Sequence, residues 1–441
     1  MRSRTNGPRP AGDRVDALVA AELVLAAIAL SLLLAGCTTA RTEPRVPSIG
    51  TPESWTGGSG TVASGVSGGS DPDASLVDWW KRLGDPVLAS LVDRALAGST
   101  DERRATERLR EARARRGLAA SDLLPEVTGS ASGTRTRAGE APAGARTRSL
   151  AAAGLDASWE VDLFGGRRLG LEASEADLAA TAAGLEDVKA SLAAEVALAY
   201  VDLRLNEARE RIASRNLGSQ SETLALTRLR RSAGLSDSLE VARAESRVAE
   251  TKALVPVYAA GRENAANRLC VLLGAAPGAL HADLGREGNG LRVPEVAAVG
   301  IPADALRRRP DVRQAELRLV AETARTARAK ADLQPKLTLG GSLALESSTV
   351  SSLFDARSLV ASVVGGLTAP LFDRRRLRLR IEAQDAVAGQ ALADWEAAIL
   401  SALEEVENAF AALDGSRARR EALEAGAASA RTAADLARKG W

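Results

Sequence analysis

An internal duplication constrains this chain more than any other feature. "ASDLLPEVTGSAS" at 120–132 matches "KADLQPKLTLGGS" at 330–342, and "DLFGGRR" at 162–168 is echoed by "PLFDRRR" at 370–376. "EVALAY" at 195–200 returns as "EVENAF" at 405–410. The offsets are 210, 208 and 210 residues. Three matches in one order at nearly constant spacing mark two copies of one unit. Each copy reads as a helix, a Leu-x-Pro break, a strand pair, a Leu-Phe turn and a very long helix. The expected fold class is therefore mainly α with a small β portion, internally duplicated.

The helices carry a narrow apolar seam. Leu185, Val188, Leu192, Val196, Ala199 and Leu203 follow one another at intervals of three and four residues, a coiled-coil-like stripe. Nothing stops the helix between Gly166 and Gly218 except two tolerable glycines, which predicts a rod of roughly 75–80 Å. A second helix, from about 220 to 272, follows it, so 166–272 reads as an antiparallel hairpin. In "RRSAGLSDSLEV", Gly234 suits a left-handed helix end and Ser236 or Asp237 suits the next N-cap. Arg230, Arg231 and Asp237 are open to two readings, ordinary helix-end charge or a partner contact.

The segments 127–137, 149–164, 336–346 and 358–370 have another pattern. Leu337, Leu339, Leu343 and Leu345 share one strand face, as do Leu359, Ala361, Val363, Gly365 and Leu367. Alternation over about ten residues fits a transmembrane β-strand, and it also fits a soluble hairpin. Pro125 and Pro335 stand where a helix gives way to a strand, because proline stops a helix and biases its predecessor to extended geometry. Phe164 and Phe372 follow the second strand of each copy, as rim markers or as packing of the turn. Trp159 has two readings as well, an interfacial aromatic or lumen packing. Four strands cannot close a barrel, and open edges cannot sit in lipid. If these strands cross a membrane, several subunits pool them, and three chains give about 12.

Composition excludes several functions. The 58 basic residues, six lysines against 52 arginines, nearly balance 57 acidic ones, for a net charge of +1. That gives no electrostatic reason to expect nucleic acid. In "LRRRPDVRQAELRL" (306–319), Pro310 and Asp311 suit the first turn of a helix, and Leu306, Val312, Leu317 and Leu319 supply apolar contacts. Aromatics are 3% and His281 is the single histidine; with no Cys, Asp or Glu cluster at ligand spacing, it reads as a surface residue. No catalytic residue, metal site or cofactor is expected. Glu160 and Asp162 share a strand face at i, i+2, which a polar lumen explains more cheaply than glycosidase chemistry.

The N-terminus carries an export signal. "LVLAAIALSLLLA" at 23–35 is too short to span a bilayer and suits a signal-peptide core. It ends in Leu34-Ala35-Gly36-Cys37, which resembles a bacterial lipobox, and Thr38 rather than Asp favours the outer membrane by the same resemblance. Residues 1–36 then read as the signal peptide, Cys37 as the lipidation site and 37–75 as a Gly/Ser-rich tether; the alternative is a secretory signal that happens to contain a cysteine. Cys270, left without a disulfide partner, reads as a small buried apolar residue. The first repeat spans 76–280, a linker 281–300 and the second repeat 301–441.

In this order, "WWKRLGDPVLASLVDRAL", "ARARRGLAASDLLPEV", "SWEVDLFGGRR", "LAAEVALAYVDLR", "RLRRSAGLSDSLEVARAES" and "LRRRPDVRQAELRLVAETARTARAKADLQPKLTL" resemble the TolC-like outer membrane efflux proteins, in their lipoprotein branch with OprM and NodT. The resemblance covers almost everything after the tether. It implies a homotrimer with a 12-stranded outer membrane barrel continuing into a periplasmic α-helical barrel. It also implies a periplasmic adaptor protein and an inner-membrane pump as partners, with passive conduction of small molecules and no cofactor. The tip residues Arg230, Arg231, Gly234, Leu235 and Asp237 become candidates for adaptor contact, and Phe164 and Phe372 for the barrel rim. A second tip glycine would fall near 444, past Trp441. The sequence is thus expected to be a truncated reading frame, and the gate carboxylates of that tip cannot be named; the downstream DNA tests this. The competing readings are a lipid-anchored periplasmic adaptor, which lacks a repeated helix-strand module, a cytosolic coiled-coil scaffold, and, most weakly, an enzyme.

Overall fold

The computed structural model describes residues 52, 55, 78–137, 147–284, 290–292 and 302–439. The signal segment, Cys37, nearly all of the tether and most of the linker lie outside the described residues. The helices are α1 (Pro86–Gly98), α2 (Thr100–Ser121), α3 (Gly166–Ser232), α4 (Ser238–Leu272), α5 (His281–Leu284), α6 (Pro302–Arg308), α7 (Pro310–Ala331) and α8 (Arg374–Lys439). The strands are β1 (Glu126–Arg137), β2 (Thr147–Val161), β3 (Lys336–Ser347) and β4 (Leu359–Thr368). The chain divides into two compact units, one built from Arg115–Glu175 and Leu319–Gln390, the other from Pro47–Ala114, Ala176–Arg318 and Ala391–Trp441. Each unit draws on both repeats, so compactness does not follow the duplication boundary.

Two boundaries differ from the sequence reading. α3 does not stop near Gly218 but runs for 67 residues, about 100 Å at 1.5 Å per residue. A single helical glycine costs only about 1 kcal/mol relative to alanine, too little to offset the further turns on its C-terminal side. Second, β2 ends at Val161, not 164, because Asp162 turns back to cap the following helix.

In the first unit the four strands form one antiparallel sheet in the order β1-β2-β3-β4. β2 and β3 pair across the two repeats, from Ala151 opposite Ser347 to Val161 opposite Leu337.

The second unit holds the main apolar core. Leu88, Leu91, Val92 and Ala95 of α1 meet Leu192, Val196, Tyr200 and Leu203 of α3 and Leu269 and Cys270 of α4, all buried. Each leucine so enclosed contributes about 1.5–3 kcal/mol. α3 and α4 lie antiparallel, joined by Arg228–Glu245 at 2.7 Å, Arg262–Glu210 at 2.8 Å and Arg268–Glu195 at 2.6 Å. Gly261 permits this approach, since a Cβ there would stand 2.6 Å from Oδ1 of Asn206.

Two polar junctions tie helix starts to this unit. Asp85 caps α1, accepting from the Val87 amide at 2.9 Å, while Pro86 occupies the first turn, where its missing N–H costs nothing. The other Asp85 oxygen accepts from the buried Tyr200 hydroxyl at 2.8 Å. Arg204 donates to that hydroxyl at 3.0 Å, its guanidinium 5.0 Å from the ring centroid, and pairs with Glu207 at 2.8 Å. At the start of α7, Arg309 is bidentate on Asp311, at 3.1 and 2.7 Å, and reaches Glu405 of α8 at 2.6 Å. Burial, with Asp311 and Glu405 nearby, raises the pKa of Asp187 on α3, whereas the hydrogen bonds of Arg309 overcome burial and lower that of Asp311. Leu306 and Val312 bury themselves against Ile399 and Ala402 beside this junction. Arg309, the last of the arginine run, is thus a helix-start device facing acids.

Burial pushes the Tyr200 phenol up to about 12; Arg204 opposes this and Asp85 adds to it. A tyrosine in the unfolded chain loses its proton near 10. The contribution is therefore complete below pH 10 and lost between about 10 and 12. Tyr200→Phe leaves a buried carboxylate oxygen short of a donor and should cost about 1–3 kcal/mol at neutral pH. Denaturant unfolding in detergent should also show a shallower loss of stability across that alkaline window; an unchanged slope counts against the assignment.

Candidate functional site

The sheet has two unlike faces, and the register generates them. Val127 opposes Ala157, Leu155 opposes Leu343, Trp159 opposes Leu339, and Leu343 opposes Ala361, so these side chains emerge on one side. That side continues through Ala131, Ala153, Leu337, Leu345, Leu359, Val363 and Leu367. The opposite side carries Thr128, Ser130, Ser132, Asp156, Ser158, Thr338, Ser342 and Ser362, with Leu150, Val360 and Val364 as the larger apolar exceptions. Polar bonds link this second face: Ser130 donates to Asp156 at 3.2 Å, and Ser342 and Ser362 share a 2.7 Å bond. The apolar face is uncovered, with Val363 at 90% exposure and Leu155, Leu359 and Leu367 above half. Among the described residues, β1 and β4 each pair on one side only.

At one end of the sheet, a charged junction sets the helix directions. The Trp159 indole donates to the Leu123 carbonyl at 3.0 Å, just before Pro125 turns the chain into β1. Asp162 accepts from the amides of Arg167 and Arg168 at 3.2 and 3.0 Å, satisfying two orphan donors at the start of α3. Partial burial opposes its ionisation, but those amides and the Arg168 side chain hold its carboxyl below the usual range. Glu160 pairs with Arg167 at 3.0 Å, and Arg167 also donates to the Asp122 carbonyl at 2.8 Å. A cavity of about 130 Å³ lies here, lined among others by Phe164, Arg328, Asp332, Pro335 and Lys336. Phe164 is half-buried in it, whereas its repeat counterpart Phe372 is 98% exposed.

The α3–α4 turn is built by two complementary caps. Gly234 has φ +75°, its amide donates to the Arg231 carbonyl at 2.9 Å, and the Leu235 amide donates to the Arg230 carbonyl at 2.8 Å. This closes the last turn of α3 with the paired bonds of a Schellman motif. Asp237 opens α4, accepting from the Glu240 amide at 2.8 Å, and Ser236 bonds the Glu240 carboxylate. Leu226, Leu229, Leu235 and Leu239 stand exposed around the turn, Leu235 at 73%.

Residues 91–275 and 301–441 match the outer membrane efflux protein family. The chain belongs to that family. It is 31% identical over 389 residues to nodulation protein T of Rhizobium leguminosarum bv. trifolii, covering 87% of this chain and 80% of that protein. It is 33% identical over 399 residues to the pyoverdine export outer membrane protein OpmQ of Pseudomonas putida, covering 89% and 82%. The solved structure of the outer-membrane channel OprN superposes with a TM-score of 0.77 at 36% identity, over 87% of this chain and 84% of that one. The efflux protein resides in the outer membrane and forms an efflux channel, which sets aside the periplasmic-adaptor reading. Among the described residues, no helix is long and apolar enough to cross a membrane. The uncovered sheet face has the character that lipid requires.

Sequence reasoning placed Glu160 and Asp162 together on a strand facing a lumen. The structure separates them, since Asp162 lies beyond β2 as a helix cap and Glu160 serves Arg167. His281 sits at the start of α5, 3.0 Å from Glu263. Ser130 and Asp156 of the polar face escape the sequence reading, although "VTGSASGTRTR" alternates polar and small residues at the right period.

The two faces make opposite demands. Val363→Arg, on the apolar face, should cost about 2–4 kcal/mol of membrane insertion and deplete the protein from the urea-washed outer membrane fraction. Val364→Arg, its neighbour on the polar face, should fractionate like the unmodified chain. Equal behaviour of the two would show that the faces are misassigned.

Proposed function

We propose that this efflux protein works as a homotrimer, pooling three four-stranded sheets into a 12-stranded barrel whose polar faces line a passive conduit for small molecules. The single observation that carries this reading is the sheet with one uncovered apolar face, one polar face and two unpaired edges. In lipid, an unpaired strand edge costs several kcal/mol per exposed backbone group, so copies of the same sheet are the natural edge partners.

α3 supports the same conclusion from the other unit. Its seam of Leu192, Val196, Tyr200 and Leu203 is buried within the chain, while Leu198, Val201, Leu205 and Ile212 form a second stripe that is 39–66% exposed. A helix with two apolar stripes wants neighbours on both flanks, and a single chain supplies one.

The partners in this reading are a periplasmic adaptor protein, met at the Leu235 turn with Arg230, Arg231, Gly234 and Asp237, and an inner-membrane pump that supplies the energy. Cys37 carries the lipid anchor and residues 37–75 the tether, so outer membrane lipid is a further contact. Relatives named for pyoverdine, toluene and solvent export favour small organic solutes as cargo.

Membrane fractionation, unheated gel electrophoresis and planar-bilayer recording test the proposal. A heat-sensitive trimer band and stepwise conductance are expected; a soluble, monomeric, non-conducting product would refute it. Leu235→Glu should leave conductance intact and weaken capture by the adaptor about tenfold or more.

A further inference from the structure

The apolar face of the sheet ends abruptly on the side farther from Pro125, where the strands turn basic. Along β2 that face runs from Val161 to Ala151, about 33 Å of strand, or about 25 Å of membrane depth at a barrel-like tilt. This equals the height of an outer membrane apolar band. Trp159, bonded to the Leu123 carbonyl, marks its near end.

Immediately past Ala151 the same face presents Ser149 and Thr147, paired with Arg135 and Arg137 of β1. Both arginines are exposed, and among the described residues neither side chain has a hydrogen bond or an ion pair. The nearest acid on these strands at that end, Glu346, pairs with Ala152 and belongs to the polar face. Arg148 is also on the polar face, opposite Thr136.

We infer that Arg135 and Arg137 form a binding site for the phosphate groups of outer-leaflet lipid headgroups. Their position combines the lipid-facing side with the depth at which acyl chains give way to headgroups. Arginine suits the task because its planar fork holds phosphate oxygens in pairs while its stem remains in the apolar band. Two arginines at i, i+2 on a strand stand about 7 Å apart, within reach of two phosphates of one headgroup or of neighbouring ones. The inference rests on the reading that the sheet crosses the membrane.

The experiment compares the full chain with the Arg135→Gln/Arg137→Gln double variant and with Arg148→Gln. Each is purified in neutral detergent and titrated with bis-phosphorylated lipid A, with dephosphorylated lipid A and with inorganic phosphate, using native mass spectrometry to count bound lipid. Outer membrane fractionation of all three, run in parallel, reports insertion separately. The unmodified chain and Arg148→Gln should retain phosphorylated lipid A in preference to the dephosphorylated form. The double variant should insert normally and bind it about fivefold more weakly per arginine removed. Unchanged binding by an inserted double variant, an equal loss in Arg148→Gln, or equal saturation by inorganic phosphate overturns the site. Failure of the unmodified chain to insert instead overturns the transmembrane reading beneath it.

Discussion

The constraint on which the rest depends is that a strand edge cannot be left open in a medium without water. Among the described residues this sheet has two such edges, β1 and β4, and a face of leucine, valine and alanine that none of them covers. In a soluble protein the pair of features would invite aggregation. In a membrane the uncovered face is satisfied by lipid and the edges by identical neighbours, so one arrangement answers both. The exposed second stripe of α3 is the same incompleteness in helical form. The chain is unfinished in the same sense in its strands and in its helices, and the proposed trimer would complete both at once.

Within one chain, order is concentrated where helices begin. Long helices hold themselves together along their length, but their first amides need acceptors, and each described junction supplies them differently. Asp85 serves α1 while accepting from Tyr200; Asp162 serves α3 from beyond the end of β2; Asp237 serves α4. At α7 the Asp311 carboxylate accepts from the Val312 amide at 2.9 Å while Arg309 binds it and Glu405. Each carboxylate therefore fixes a helix direction and, in two cases, ties the helix start to a second helix. Among the described residues Asp85 is the one buried charged group, in a chain that is 26% charged.

Much of this was legible in the sequence because it is periodic or local. The offset of 210 exposed the duplication, the three-four spacing the α3 seam, the alternation the strands, and Gly234 with Asp237 the turn between α3 and α4. What stayed hidden depends on pairing across distance. Alternation gave the two faces of β3 and of β4 separately, but only the register put Leu343 and Ala361 on the side of Leu155. Glu160 and Asp162 looked equivalent at i, i+2, and the strand's end after Val161 made them different. Gly218 looked like a stop because propensity is read residue by residue, while a helix ends only where its continuation is no longer favourable.

The two copies show which part of the design tolerates change. Tyr200 and Phe410 occupy the same place in the repeat, and both are buried. Tyr200 brings a hydroxyl into the interior, so it requires acceptor and donor there, and Asp85 and Arg204 provide them. Phe410 brings none; its ring meets Trp55, at 6.0 Å between centroids and 58° between planes. The apolar periodicity is common to both copies, while the polar solution is local to one. A hydroxyl added at 410 would need a partner of its own, whereas the ring alone needs only contact. Duplication could therefore copy the seam freely, but each buried polar group had to be settled at its own site.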